Sequence, residues 1–162
     1  MRRCGASGKD KVLKNKLLVC MLVGLVALSG CFGSDVPKPP PPAELEQQGF
    51  LYPDLPRITA EEFKLLYDKN EPYILIDARP RNLFLDGYIP GAQNIPNDPR
   101  EDSVARLTQL PKNRLIVTYC DCMDDEGGAV AADRLLAAGY TNVKILWKGI
   151  YYWEEIGGEI RQ

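Results

Sequence analysis

The sequence predicts an α/β domain built on a mainly parallel sheet with helices on both faces. Three short apolar runs carry that reading, Tyr73–Asp77, Leu115–Tyr119 and Val143–Leu146. None alternates between apolar and polar residues, the pattern of strands covered on both faces. Helix-length segments separate the runs, so the connections are crossovers and the strands run parallel.

Taken in order, Thr59 followed by Glu62 forms a capping box. The helix it opens carries Phe63, Leu66 and Tyr67 on one face and ends near Asn70. Tyr73–Asp77 is the first buried strand. Asn94-Ile95-Pro96 is a short strand or its end, and Ser103 to Leu110 is a helix stopped by Pro111. Leu115–Tyr119 follows as a strand. Ala129 to Ala138, rich in Ala and Leu, is a helix with Gly139 as its C′ residue, and Val143–Leu146 is the last strand. No internal repeat is visible.

Upstream of this domain the chain reads as an export and anchoring segment. Arg2, Arg3, Lys9, Lys11, Lys14 and Lys16, opposed only by Asp10, precede an apolar run from Leu17 to Leu28. At about 1.5 Å per residue that run covers ~18 Å, well short of the ~30 Å hydrocarbon core, so it is not expected to form a stable transmembrane helix. Leu28-Ser29-Gly30-Cys31 resembles the lipobox of bacterial lipoproteins. The resemblance implies cleavage after residue 30 and diacylation of Cys31, two chains being what stable anchoring requires. The expected organisation is a signal peptide over 1–30, lipidated Cys31 with a proline-rich tether over 31–49, and one globular domain over 50–162. In the tether, Val36-Pro37-Lys38-Pro39-Pro40-Pro41-Pro42 lacks most backbone donors and favours an extended polyproline spacer. The protein is thus expected to be exported and to meet the membrane only through its lipid, facing the periplasm or the outside of the cytoplasmic membrane.

Loss of the leader takes six basic residues and one acidic residue from the 20 and 22 of the whole chain. That leaves 14 basic and 21 acidic, a net charge of −7, a poor match to nucleic acid or an anionic membrane surface. Of five cysteines, Cys4 and Cys20 leave with the leader and Cys31 is used by the lipid, so Cys120 and Cys122 remain for thiol chemistry. The chain has no histidine, which excludes a His general base, a Cys/His dyad and any His-containing metal site.

Functional groups of an open parallel sheet gather at the carboxyl ends of its strands. Cys120 follows Tyr119 at such an end, and Asp121-Cys122-Met123-Asp124-Asp125-Glu126-Gly127 leads from it into a helix near Gly128. Backbone N–H groups and the positive helix end would face the sulfur, lowering its pKa and stabilising a thiolate or persulfide. A buried structural cysteine is the other reading of the position.

Several separated segments, in order, resemble the rhodanese family. Ile76-Asp77-Ala78-Arg79-Pro80 is similar to its Asp-x-Arg segment, and Asp86-Gly87-Tyr88-Ile89-Pro90-Gly91-Ala92 with Asn94-Ile95-Pro96 to its Gly-His-Ile-Pro-Gly-Ala-x-Asn-Ile-Pro stretch. Tyr119-Cys120 matches the start of its active loop, and Gly139-Tyr140, Asn142-Val143, Leu146, Gly149, Trp153 and Gly157 follow its closing pattern. The resemblance spans about residues 57 to 160.

It implies a sulfurtransferase without a cofactor, served by a small sulfur donor and a thiol acceptor, the latter a protein in some cases. Cys120 would be nucleophile and carrier, and the backbone of Asp121 to Gly127 an anion cradle. Asp77 and Arg79 would brace the loop as an ion pair. Tyr88 stands where the family has histidine, and Lys148 replaces the first glycine of a Gly-Gly pair, placing a cation that would either assist a bound anion or remain solvated. Asp121, Asp124, Asp125 and Glu126 make the loop acidic, which should raise the Cys120 pKa and disfavour thiosulfate as donor. Cys122 has three readings: resolving partner of Cys120, disulfide partner, or filler. Two thiolates are half a structural zinc set, so no metal is expected. A phosphatase of this fold needs a loop arginine, and none lies between Cys120 and Ala132. The alternative function is a non-catalytic or redox-sensing domain that binds a partner through the cysteine pair or the acidic loop.

Overall fold

Period-two alternation along each strand distributes its side chains between two layers. In the computed structural model, which describes residues 38–97 and 103–162, that alternation produces one apolar cluster on each face of a five-stranded sheet. These residues belong to one compact unit, Asp35–Gln162. The expected leader and Cys31 lie outside the described residues.

The elements are α1 (Pro42–Gln47), β1 (Arg57–Ile58), α2 (Ala60–Asp68), β2 (Tyr73–Asp77), α3 (Arg81–Asp86), β3 (Gln93–Asn94), α4 (Ser103–Thr108), β4 (Leu115–Tyr119), α5 (Glu126–Ala137), β5 (Val143–Leu146) and α6 (Gly149–Glu155). The strand order is β1-β5-β4-β2-β3, and every pairing is parallel. Ile76 pairs with Thr118 and Asp77 with Tyr119, so the ends of β2 and β4 are flush. Leu75, Val117, Tyr119 and Leu146 pack with Phe63 of α2 and Ile150 and Trp153 of α6. Ile76, Ile116 and Ile145 pack on the opposite face with Leu107 of α4 and Ala129, Ala132 and Leu135 of α5. The fold is therefore the expected α/β architecture with helices on both faces.

The three apolar runs form strands with the expected bounds, and the Thr59–Glu62 capping box is reciprocal, with both hydrogen bonds made. Other boundaries differ. The strand expected around Asn94–Pro96 lies at Gln93–Asn94, since Pro96 has no N–H to give the ladder. Helix α4 ends at Thr108, two residues before Leu110, because Gln109 and Leu110 donate to Arg106 and Leu107 in tighter turns. Helix α5 starts at Glu126, ahead of the expected Ala129. Two glycines in its first turn hide the helical signal.

Three helices carry no sequence signal. Helix α3 buries no residue and has no side-chain cap, and α6 opens on Lys148 and Gly149, both at positive φ. Helix α1 forms within the stretch assigned to the extended tether, with Pro42 at its start and Leu45 only 2% exposed. A single buried leucine after a proline run offers no periodicity to read.

Candidate active site

Because all strands are parallel, Ile58, Asp77, Tyr119 and Leu146 end on the same edge of the sheet. Cys120 leaves the central strand there and is 2% exposed. Its carbonyl oxygen accepts the Ile150 N–H at 3.0 Å, which ties α6 to the loop. Gly149 makes that approach possible: at φ +57°, a Cβ there would overlap the Cys120 carbonyl oxygen. Gly127 plays the same part for the Cys120 side chain. Its ideal Cβ would lie 2.9 Å from Cys120 Cβ, 3.6 Å from Cys120 Sγ and 3.9 Å from Cys122 Sγ. Both sulfurs thus lie within 4 Å of the point where a side chain at residue 127 would begin.

Cys120 Sγ accepts the Cys122 N–H at 3.2 Å. Asp125 N–H donates to the Cys122 carbonyl at 3.2 Å and closes the loop as a turn. Amides therefore do face the sulfur, but they do not lower its pKa overall. Burial pushes the Cys120 thiol well above the ordinary thiol range, and hydrogen bonding with the Cys122 side chain adds to this; the Gly128 and Cys122 amides only oppose it. The expected rise from loop carboxylates also has a different physical origin, since desolvation is the largest cause. Cys120 and Cys122 are both free thiols.

The loop acids separate. Asp121 is half-buried, whereas Met123, Asp124 and Glu126 are exposed and the Asp124 carboxylate accepts the Glu126 N–H at 3.4 Å. Asp125 turns inward. Its backbone is left-handed at φ 60°, and it is 1% exposed. One carboxylate oxygen accepts the Lys148 N–H at 2.6 Å, and the other lies 3.3 Å from Arg57 Nε. Burial raises the Asp125 pKa to about 6, against the lowering effects of the Lys148 amide and Arg57. Arg57, which sequence reasoning missed, also donates through Nη1 to the Tyr52, Pro53 and Leu55 carbonyls. It stands alone before the capping box with no pattern around it, so its role becomes visible only when β1 and the loop meet.

Lys148 reaches the site through its backbone. Its φ is +61°, the conformation the replaced glycine would favour, and its Nζ lies 4.6 Å from the Trp147 ring centre and 5.2 Å from that of Tyr152. Asp77 and Arg79 form a buried pair in which Arg79 Nη2 lies 2.6 Å from Asp77 Oδ2 and donates to the Gly87 carbonyl at 2.7 Å. Burial opposes the Arg79 charge, but the Asp77 carboxylate outweighs it, so the guanidinium is held charged. Asn94 Nδ2 bridges the Asp77 and Arg79 carbonyls, and Tyr119 Oη accepts the Ile89 N–H at 3.2 Å. This network fastens the segment after β2 beside the loop. Tyr88 stacks on Phe84 with ring centres 4.2 Å apart and pairs with Arg161. Among the described residues, no three Cys, Asp or Glu side chains converge as a metal site, and no helix is long and apolar enough to cross a membrane.

Fold and site together define an α/β domain that displays a buried loop thiol at the carboxyl end of its central parallel strand. The family model of the rhodanese-like domain matches residues 59–156. The adenylyltransferase and sulfurtransferase MOCS3-1 of Zea mays is 31% identical over 107 residues, which are 64% of this chain and 22% of that protein. The adenylyltransferase and sulfurtransferase UBA4 of Candida albicans is 26% identical over 102 residues, 61% of this chain and 23% of that protein. The chain thus spans under a quarter of the length of these curated relatives. Among solved structures, the Alr3790 protein from Anabaena sp. is 33% identical with a TM-score of 0.57, over 64% of this chain and 81% of that one. A thiosulfate sulfurtransferase from Pseudomonas aeruginosa, 20% identical over 75% of this chain and 22% of its own, shares the fold with a TM-score of 0.58. The chain belongs to the rhodanese-like domain family, whose members include sulfurtransferases.

Proposed function

We propose that the protein is a lipid-anchored sulfurtransferase that carries a sulfane sulfur as a persulfide on Cys120. The observation that carries the reading is the placement of Cys120 Sγ, which takes an N–H from Cys122 at 3.2 Å and faces the glycine-lined start of α5. The Cys120 thiolate attacks the outer sulfur of a polysulfide; the donor S–S bond breaks, and the shortened donor leaves with the electron pair. An acceptor thiolate then attacks the outer sulfur of the Cys120 persulfide, and Cys120 leaves as thiolate. Neither step needs an oxidant, a metal or a cofactor. Because exposed Asp124 and Glu126 lie in the loop, a neutral sulfane donor or a singly charged hydropolysulfide is preferred over dianionic thiosulfate.

The full chain in detergent, incubated with inorganic polysulfide and read by intact mass spectrometry, is expected to gain one sulfur atom that is absent in Cys120→Ser. No adduct from polysulfide or thiosulfate would refute the carrier role. The burial and raised pKa of Cys120 favour the second reading, a non-catalytic or redox-sensing domain that binds a partner through the Cys120/Cys122 pair or the acidic loop, and that same negative result would favour it over the carrier reading. For the anchor, Cys31→Ser is expected to abolish incorporation of a labelled fatty acid and to move the protein out of the membrane fraction. Unchanged labelling would refute lipidation at Cys31.

A further inference from the structure

A carrier thiol on a residue that is 2% exposed raises the question of how its sulfur meets an acceptor. We propose that Cys122 is the exit thiol of the site: it takes the sulfane sulfur from Cys120 and presents it to acceptors too bulky to reach the buried position. The inference rests on the Cys120 persulfide reading and assigns the second cysteine a step within it.

Three observations support the step. The Cys122 N–H donates to Cys120 Sγ at 3.2 Å, which holds the two residues against each other. Both sulfurs lie within 4 Å of the same point, the position a Gly127 Cβ would occupy, and that point is empty because residue 127 has no side chain. The two thiols also differ in access, since Cys120 is buried and Cys122 is partly exposed, next to Met123, which is 62% exposed.

In the step, the Cys122 thiolate attacks the outer sulfur of the Cys120 persulfide. The Cys120 S–S bond breaks, and Cys120 Sγ leaves with the electron pair and takes up the proton that Cys122 released. The sulfane sulfur ends on Cys122 with no net oxidation. Burial supplies a direction: an anionic persulfide is poorly solvated on Cys120, while on Cys122 water reaches its charge. Attack on the outer sulfur also closes no ring, unlike attack on Cys120 Sγ, which would force a disulfide across a single intervening residue.

The test uses the full chain loaded with inorganic polysulfide, trapped with an alkylating reagent and fragmented to locate the extra sulfur. Transfer is measured separately to cyanide, a small linear nucleophile, and to glutathione. In the wild type the sulfur is expected on both Cys120 and Cys122. In Cys122→Ser it is expected on Cys120 alone, and the ratio of the glutathione rate to the cyanide rate is expected to fall roughly tenfold. Cys122→Ala repeats the measurement without a hydroxyl to substitute for the thiol. Adduct on Cys120 with an unchanged ratio in both variants overturns the exit role and leaves the carrier reading intact. Loading of Cys122 in Cys120→Ser at the wild-type rate overturns it as well, as does stoichiometric release of hydrosulfide with formation of a Cys120–Cys122 disulfide. No adduct on either cysteine in any variant overturns the carrier reading itself.

Discussion

Arg57 Nε lies 3.3 Å from Asp125 Oδ2, and the side chains of both residues are almost wholly inaccessible to water. The pair joins an edge strand to the loop of the central strand, and the same carboxylate takes the Lys148 N–H at the start of α6. Removing one member of a buried pair leaves the other charge without compensation. Asp125→Ala is therefore expected to lower unfolding free energy by about 3–5 kcal/mol, measured by urea denaturation, whereas Asp124→Ala, at an exposed site, should change it by less than ~0.5 kcal/mol.

Asp125 also fixes a pH dependence. Its pKa rises on folding from 3.8 to about 6, so the folded state holds this proton more tightly than the unfolded state. The associated stabilisation is complete below pH 3.8 and is lost as pH rises towards about 6. At ~1.4 kcal/mol per pH unit the change is of order 3 kcal/mol. Plotted as the difference between wild type and Asp125→Asn, relative stability should fall across this window. A difference curve that is flat or rises would contradict the assignment.

The glycines around Cys120 divide by role. Gly149 combines positive φ with a Cβ path blocked by the Cys120 carbonyl oxygen. Gly149→Ala should cost at least ~2 kcal/mol of stability. Gly127 sits in the first turn of α5, where alanine is the better helix former by ~1 kcal/mol, yet its Cβ would lie 2.9 Å from Cys120 Cβ. Gly127→Ala is expected to keep the thermal midpoint close to that of the wild type while slowing sulfur loading, checked by calorimetry beside the mass assay.

Thiol reactivity should follow access. With Cys120 2% exposed and its thiol pushed up by burial, iodoacetamide at neutral pH should alkylate Cys122 before Cys120 by roughly tenfold or more. Cys120 alkylation should accelerate as pH is raised. Peptide mapping over a time course measures both rates.

These expectations draw on two kinds of information, and only one was open to sequence reading. The sheet was legible because Tyr73–Asp77, Leu115–Tyr119 and Val143–Leu146 are buried on both faces and carry continuous apolar runs. Cys120 was legible because the end of a parallel strand is a position defined by the chain itself. Asp125 was read as one more loop carboxylate, since neither its left-handed backbone nor its partner Arg57, separated by 68 residues, leaves a local trace. Lys148 likewise entered as a cation, although its backbone N–H is what contacts Asp125. Helices α1, α3 and α6 escaped because each lacks a side-chain cap, and the first two also lack a buried stripe. Where a residue acts through backbone conformation or a distant partner, its letter alone carries too little.

The sheet is also finished differently at its margins than at its centre. Both outermost strands, Arg57–Ile58 and Gln93–Asn94, are two residues long. An edge that short offers a neighbouring molecule almost no unpaired backbone on which to add a strand. For a protein proposed to be lipid-anchored, this lets copies meet on one membrane without edge-to-edge polymerisation.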